Sequence, residues 1–300
     1  MTKVRLRYHL LALFTVLVWG TTFTSTKVLI LHSLTPAEIL FYRFLIAYVV
    51  IWPFAPKPLF ASKTADEIKL LALGLTGGSL YFLAENSALE LTYTSNVALI
   101  LCATPLITAI FTVMLFRDQH FSSKLLLGSL FAIAGVCCIL INSSFVFRFS
   151  PAGDGLALLA CLMWALYSVI LKQLSDRYSI LFITRKVFFY GLATMLPLSL
   201  LFPDCWHVAA LTSPIVWVNL LFLGVVASCL CFFAWNKAIQ QLGIITSNNY
   251  LYVQPFVALL CGALLLGEQI TWIALLGGLL IIAGIYVAEN GLKIGANHNN

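Results

Sequence analysis

Charge is what this sequence has least of. Only 9% of its 300 residues are Asp, Glu, Lys or Arg, where a soluble domain carries about 25%. A solvated surface over most of the chain is therefore excluded. No His is followed by Glu and no Gly is followed by Lys, so neither an H-E-x-x-H metal motif nor a phosphate-binding P-loop is present. His9, His32, His120, His207 and His298 lie at or beyond the ends of apolar runs, and no cysteine pair has zinc spacing with histidine support. Enzyme chemistry and a resident metal or cofactor thus find no support. Cys102, Cys137, Cys138, Cys161, Cys229, Cys231 and Cys261 fall inside apolar runs. Only Cys205 sits in a connection, so no loop-to-loop disulfide is available. These cysteines read as small packing residues. Long polar connections are missing too, so no soluble domain is inserted.

What is present is apolar. Hydrophobic residues make up 61% of the chain and the mean hydropathy is +1.00. A span needs about 20 mostly apolar residues, and ten runs qualify: 9–31, 36–55, 68–89, 93–116, 122–142, 152–174, 181–202, 214–236, 244–266 and 270–289. The first is too long for a signal-peptide core and is followed by no small-residue cleavage site, so it reads as an uncleaved span. The net charge of +6 points to one membrane face rather than to nucleic acid. With the N-terminus cytoplasmic, Lys3, Arg5, Arg7, Lys57, Lys63, Lys69, Arg117, Lys124, Lys172, Arg177, Lys237 and Lys293 share the cytoplasmic side. Arg148 stands alone on the other. That bias places both termini in the cytoplasm. Residues 290–300 read as a polar, unstructured tail.

The chain repeats itself. Leu71/Leu221, Gly74/Gly224, Leu80/Leu230, Phe82/Phe232, Ala84/Ala234, Asn86/Asn236, Ala88/Ala238 and Pro105/Pro255 are identical at an offset of 150. Trp19/Trp164 and Lys27/Lys172 recur at 145; Gly128/Gly277, Ala134/Ala283 and Gly135/Gly284 recur at 149. Coincidence of rare residues in order argues for duplication. Five spans per half is an odd number, so the second half enters from the opposite face. The expected fold is an all-α membrane protein: ten transmembrane helices as two inverted five-helix repeats, 9–142 and 152–289. Inverted repeats are the architecture of secondary transporters.

Candidate functional residues are the polar ones that lipid would not tolerate. Pro105 and Pro255 fall near mid-span, where a proline breaks the helix ladder; a packing kink is the plainer reading. Ser247, Tyr250 and Gln254 stand at i, i+3 and i+7 and share one face of a regular helix, facing either a neighbouring helix or an aqueous cavity. Gly78, Tyr81 and Glu85 do the same. Glu85 is the acid deepest in a span, a proton carrier or amine partner, or else the partner of Lys27 or Arg43. Arg43 lies about 10 Å into its span at 1.5 Å per residue. Lys27 and Lys172 are gates on opposite faces or snorkelling side chains. With Trp19, Asn96, Thr104, Trp164 and Tyr167, these residues outline a cavity at mid-bilayer between the halves. The expected partners are a small-molecule substrate and the lipid bilayer, with no nucleic acid.

Several of these features together resemble the EamA family of the drug/metabolite transporter superfamily. They are the ten runs, the duplication, Trp19-Gly20, Phe41-Tyr42-Arg43 and Trp235-Asn236-Lys237-Ala238. With them go Pro105 and Pro255, Phe116-Arg117-Asp118 and Leu266-Gly267-Glu268, and Ala134-Gly135 with Ala283-Gly284. The resemblance runs from about residue 10 to 288. Arg117-Asp118 and Glu85-Asn86 depart from the commoner pattern. The resemblance implies a carrier in the cell (inner) membrane, with export as one direction, of a small polar or amphipathic metabolite such as an amino acid. The rival reading is a non-transporting assembly, lipid-handling or sensor protein, marked by a cavity too narrow or greasy for water.

Overall fold

The computed structural model describes residues 3–91, 97, 100–116, 123–142, 150–201, 206–257, 260 and 271–297. Every regular element among them is helical: α1 Lys3–Leu31, α2 Pro36–Ile51, α3 Thr64–Gly74, α4 Leu80–Leu91, α5 Thr104–Leu115, α6 Ser123–Asn142, α7 Pro151–Ser175, α8 Ile180–Leu201, α9 Pro214–Leu221, α10 Cys231–Leu242, α11 Ile244–Asn249 and α12 Trp272–Asn297. A lipid core offers no water to unpaired backbone groups, and helices satisfy those groups internally. Among the described residues five helical stretches are long and apolar enough to cross a membrane: Arg5–Leu31, Pro36–Phe54, Thr64–Ala88, Pro151–Ser175 and Pro214–Leu242. Thr104–Leu115, Ser123–Cys138 and Leu275–Ala288 are shorter apolar helices. The protein is a multi-pass membrane protein.

Local chemistry sets the helix ends. Pro36 opens α2 behind a capping box in which the Thr35 hydroxyl accepts the Glu38 N–H and the Glu38 carboxylate accepts the Thr35 N–H. Gly243 turns α10 into α11 at φ +90°, a left-handed conformation that needs glycine. The last helix reaches Asn297, through residues that the sequence suggests as an unstructured tail. Ala288, Glu289, Leu292 and Lys293 are good helix formers, and an established helix propagates more cheaply than it starts.

Two helices contain a wide turn at matching places. Between α3 and α4, Leu75–Ser79 is wound as a π-helix, the Leu80 N–H reaching the Leu75 carbonyl. Between α9 and α10, Phe222–Leu230 is wound the same way, the Cys231 N–H reaching the Val226 carbonyl. Each follows or contains the repeated glycine. At Gly74 a Cβ would strike Tyr190 of α8, and at Gly224 it would strike Ile46 of α2. The third helical stretch of each half thus packs on the second helix of the other half.

The helices gather into two groups. One holds α1, α2, α10, α11 and the Phe222–Leu230 turn; the other holds α3, α4, α5, α7 and α8. They meet where α2 lies on α8 and α5 on α11. Alongside, α6 and α12 form a close reciprocal pair. A Cβ on Gly128 would collide with the Gly284 carbonyl, one on Gly284 with the Gly128 carbonyl, and one on Gly135 with the Gly277 carbonyl. Small residues let helix backbones touch where no hydrophobic force drives association. The other faces of this pair expose Leu126, Leu130, Leu276, Leu279 and Ile282, as a lipid-facing surface would.

Candidate functional site

A cavity with about 560 Å³ of open space, its mouth included, lies between the two groups. Trp19, Thr22, Arg43, Phe232, Leu251 and Gln254 come from the first group. Tyr81, Phe82, Glu85, Leu101, Thr104 and Trp164 come from the second. Both prolines explain part of this wall. Proline cannot donate to the carbonyl four residues earlier and its ring clashes with that carbonyl. Before Pro105 the chain makes a turn, the Ala103 N–H reaching the Ile100 carbonyl, and α5 starts at Thr104. Before Pro255 it tightens to a 3₁₀ segment, Tyr250–Val253. Both breaks carry the residue before the proline and the residue four before it to the wall: Thr104 with Leu101, and Gln254 with Leu251.

Arg43 and Glu85 are buried, with exposures of 5% and 8%, and face the cavity from opposite groups. The Arg43 Nε donates to the Ser228 hydroxyl at 3.0 Å, and its guanidinium lies 4.4 Å from the Phe82 ring centre. Glu85 Oε1 accepts the Tyr81 hydroxyl at 2.9 Å. Each charge has a hydrogen-bond partner in its own group of helices, and the Arg43 guanidinium also reaches across to the Phe82 ring of the second group. Aromatic rings frame the space between them. Trp19 meets Trp164 edge-on at 5.3 Å, and Tyr81 lies 5.1 Å from Trp164. The Trp19 indole N–H is tied to the Ala227 carbonyl at 2.9 Å, which fixes that ring. An anion beside Arg43, a cation beside Glu85 or over the rings, and an apolar body between them would all find partners.

Most of the wall consists of repeat-related pairs: Trp19/Trp164, Phe82/Phe232, Leu101/Leu251 and Thr104/Gln254. The sequence points to Trp19, Arg43, Tyr81, Glu85, Thr104, Trp164 and Gln254, and the structure brings these together. It leaves four other candidates, Lys172 among them, elsewhere. Tyr167 is fully buried and donates to Asn236 Oδ1 at 2.6 Å. Ser247 is fully buried away from the cavity. Tyr250 bonds the His9 ring at 2.7 Å. The shared face of Ser247, Tyr250 and Gln254 assumes 3.6 residues per turn, and the 3₁₀ segment between them winds at about 3.0. Gly78 likewise leaves the Tyr81–Glu85 face, because the π-turn displaces it toward Phe44 and Gly191. Lys172 ends α7, 3.6 Å from Asp176 and partly exposed, remote from the wall. Asn96 and the Lys27 side chain lie outside the described residues. Thr22, Phe82, Leu101, Phe232 and Leu251 complete the wall without having been singled out; Phe82/Phe232 and Leu101/Leu251 recur at the offset of 150, and Thr22 carries no such signal.

Known proteins share this pattern. The model of the EamA-like transporter family matches twice, over residues 6–141 and 151–289. A protein of Archaeoglobus fulgidus named as an uncharacterized transporter is 24% identical over 288 residues, 93% of this chain and 96% of that one. A probable amino-acid metabolite efflux pump of Salmonella typhimurium is 28% identical over 292 residues, 95% of each chain. A probable terminal-alkyne amino-acid exporter of Streptantibioticus cattleyicolor is 28% identical over 222 residues, 74% of this chain and 73% of that one. A crystal structure with 19% identity superposes at a TM-score of 0.76, covering 96% of this chain and 99% of the other, and speaks for the fold.

Proposed function

The chain belongs to the EamA-like transporter family, a family of carriers and not of enzymes, and on that premise we propose what it carries and how. It is a ten-span carrier of two inverted five-helix repeats, with both termini in the cytoplasm. It moves a small zwitterionic or amphipathic metabolite, an amino acid or a close derivative, across the cell membrane by alternating access. The observation that carries this reading is the cavity whose opposite walls hold Arg43 and Glu85 amid Trp19, Trp164 and Tyr81. A free amino acid offers a carboxylate to the first, an ammonium to the second and a side chain to the rings. The names of the Salmonella and Streptantibioticus relatives agree with that chemistry. The reciprocal packing of Gly74 and Gly224, and of Gly128 and Gly284, supports the inverted repeat. The purified chain in liposomes loaded with a mixture of amino acids should release a subset of them faster than liposomes without the protein do. Release of none, by a chain that remains folded, would reject the substrate class.

A further inference from the structure

Side-chain hydrogen bonds join helices of the two groups on one side of the Trp19–Trp164 contact. There the Trp164 indole N–H donates to Asn248 Oδ1 at 3.2 Å, and Asn248 Nδ2 donates to the Ser168 hydroxyl at 3.3 Å. The Tyr167 hydroxyl donates to Asn236 Oδ1 at 2.6 Å, and Asn236 Nδ2 donates to the Thr184 hydroxyl at 3.0 Å. One turn further, the Gln240 amide meets the Ser175 carbonyl. Tyr167, Asn236 and Asn248 are fully buried. None of these groups is charged, and each pair joins α7 or α8 of one helix group to α10 or α11 of the other. Between the same layers, the Trp235 Nε1 and the Ser247 hydroxyl are buried with no hydrogen-bond partner among the described residues. Buried polar atoms are rarely left so.

The repeat says what this layer corresponds to. At the offsets of 145 and 150, Tyr167 answers Thr22, Cys231 answers Tyr81 and Trp235 answers Glu85. Those three counterparts line the cavity; Tyr167, Cys231 and Trp235 are fully buried. Cys231 and Trp235, four residues apart, share one helical face.

We infer that the layer of Tyr167, Asn236, Asn248 and Trp235 is the shut continuation of the cavity, a solute-binding face that forms when the two helix groups part on this side. It rests on the carrier reading. When it parts, the amides, the phenol and the free Trp235 N–H become hydrogen-bonding partners for a polar solute, and none of them carries a charge. The orphaned atoms then meet water or solute. The ionic holds remain behind, at Arg43 and Glu85. The solute thus leaves its charge partners before passing a neutral stretch, which favours passage over retention.

Cys231 is a native reporter of this opening. The full-length chain is reconstituted in liposomes and treated with N-ethylmaleimide, and the Cys231 peptide is followed by mass spectrometry. The wild-type residue should react slowly. Tyr167→Phe, which removes one hydroxyl and keeps the ring, should speed its modification about five- to tenfold, the shift that loss of one buried hydrogen bond permits. Asn248→Ala added to it should speed it further. Equal rates in wild type, Tyr167→Phe and the double variant, all with unchanged gel-filtration profiles, would overturn the inference even if solute is carried. Faster modification in variants that carry no solute would uphold the opening and remove the carrier reading instead.

Discussion

The two halves of the chain present matched surfaces to one another, and the match stops at charge. Phe82 and Phe232 lie at related points of the cavity, as do Trp19 and Trp164, and Thr104 and Gln254. Where the first half supplies Thr22, Tyr81 and Glu85, the second supplies Tyr167, Cys231 and Trp235, packed shut. The shared residues build the frame; under the proposed alternating access, a pair of helix groups that exchanges positions needs the same packing twice. The differing residues sit at the cavity or in the shut layer, and under the proposed carrier function a solute has only one set of charges to be held. A duplicated chain can keep its polar holds in one half, so that the other half closes as a dry aromatic layer.

Substitutions in either half can test that contrast. The largest effect is expected from Glu85→Gln and Arg43→Gln. Each should lower solute exchange in liposomes at least about a hundredfold, the scale of a lost charge-assisted contact of about 1.5–3 kcal/mol compounded by a misplaced solute. Retained exchange in a folded Glu85→Gln protein would remove its role. Next comes moving the charge to the wrong half. Trp235→Glu places a carboxylate where its counterpart lies in the cavity but where the surroundings are dry. Thermal unfolding in detergent should show a loss of about 3 kcal/mol or more, and an unchanged melting temperature would mean this layer is already wet. A smaller effect belongs to the residues at the two proline breaks. Gln254→Ala and Thr104→Ala should each weaken solute binding by about 1–3 kcal/mol, read by calorimetry. Tyr250→Ala should leave binding alone and lower stability, because its hydroxyl bonds His9. The smallest intervention tests orientation: cysteine at Ser62 should react with a membrane-impermeant reagent only from the cytoplasm, and cysteine at Ser213 only from outside.

The all-helical membrane character was legible in the sequence because lipid makes few exceptions. Apolar runs of span length, prolines at matching depth and glycines at matching offsets all have a single economical reading in a membrane. Seven cavity residues were legible for the same reason, since Arg43, Glu85 and Gln254 are too costly in lipid to face outward. Three of the misplacements have one source, the assumption of a constant 3.6-residue turn. The π-turns after Gly74 and around Gly224, and the 3₁₀ segment before Pro255, rotate the helix on their far side. Gly78, Ser247 and Tyr250 thereby leave the faces that their spacing suggests. Apolar wall residues such as Leu101 and Leu251 cannot be told from core by type. Their recurrence at the offset of 150 and their position four residues before each proline mark them, and the second mark needs the helix break to be known.

The decisive measurement compares small metabolites in cells that lack the protein, cells that carry it, and cells that carry Glu85→Gln at equal membrane abundance. The carrier reading predicts that a narrow set of compounds bearing both an amino and a carboxylate group changes in level across the membrane when the protein is present. It also predicts that Glu85→Gln returns them to the level of cells without it. The reading is contradicted if no such compound responds, or if Glu85→Gln acts like the wild-type protein.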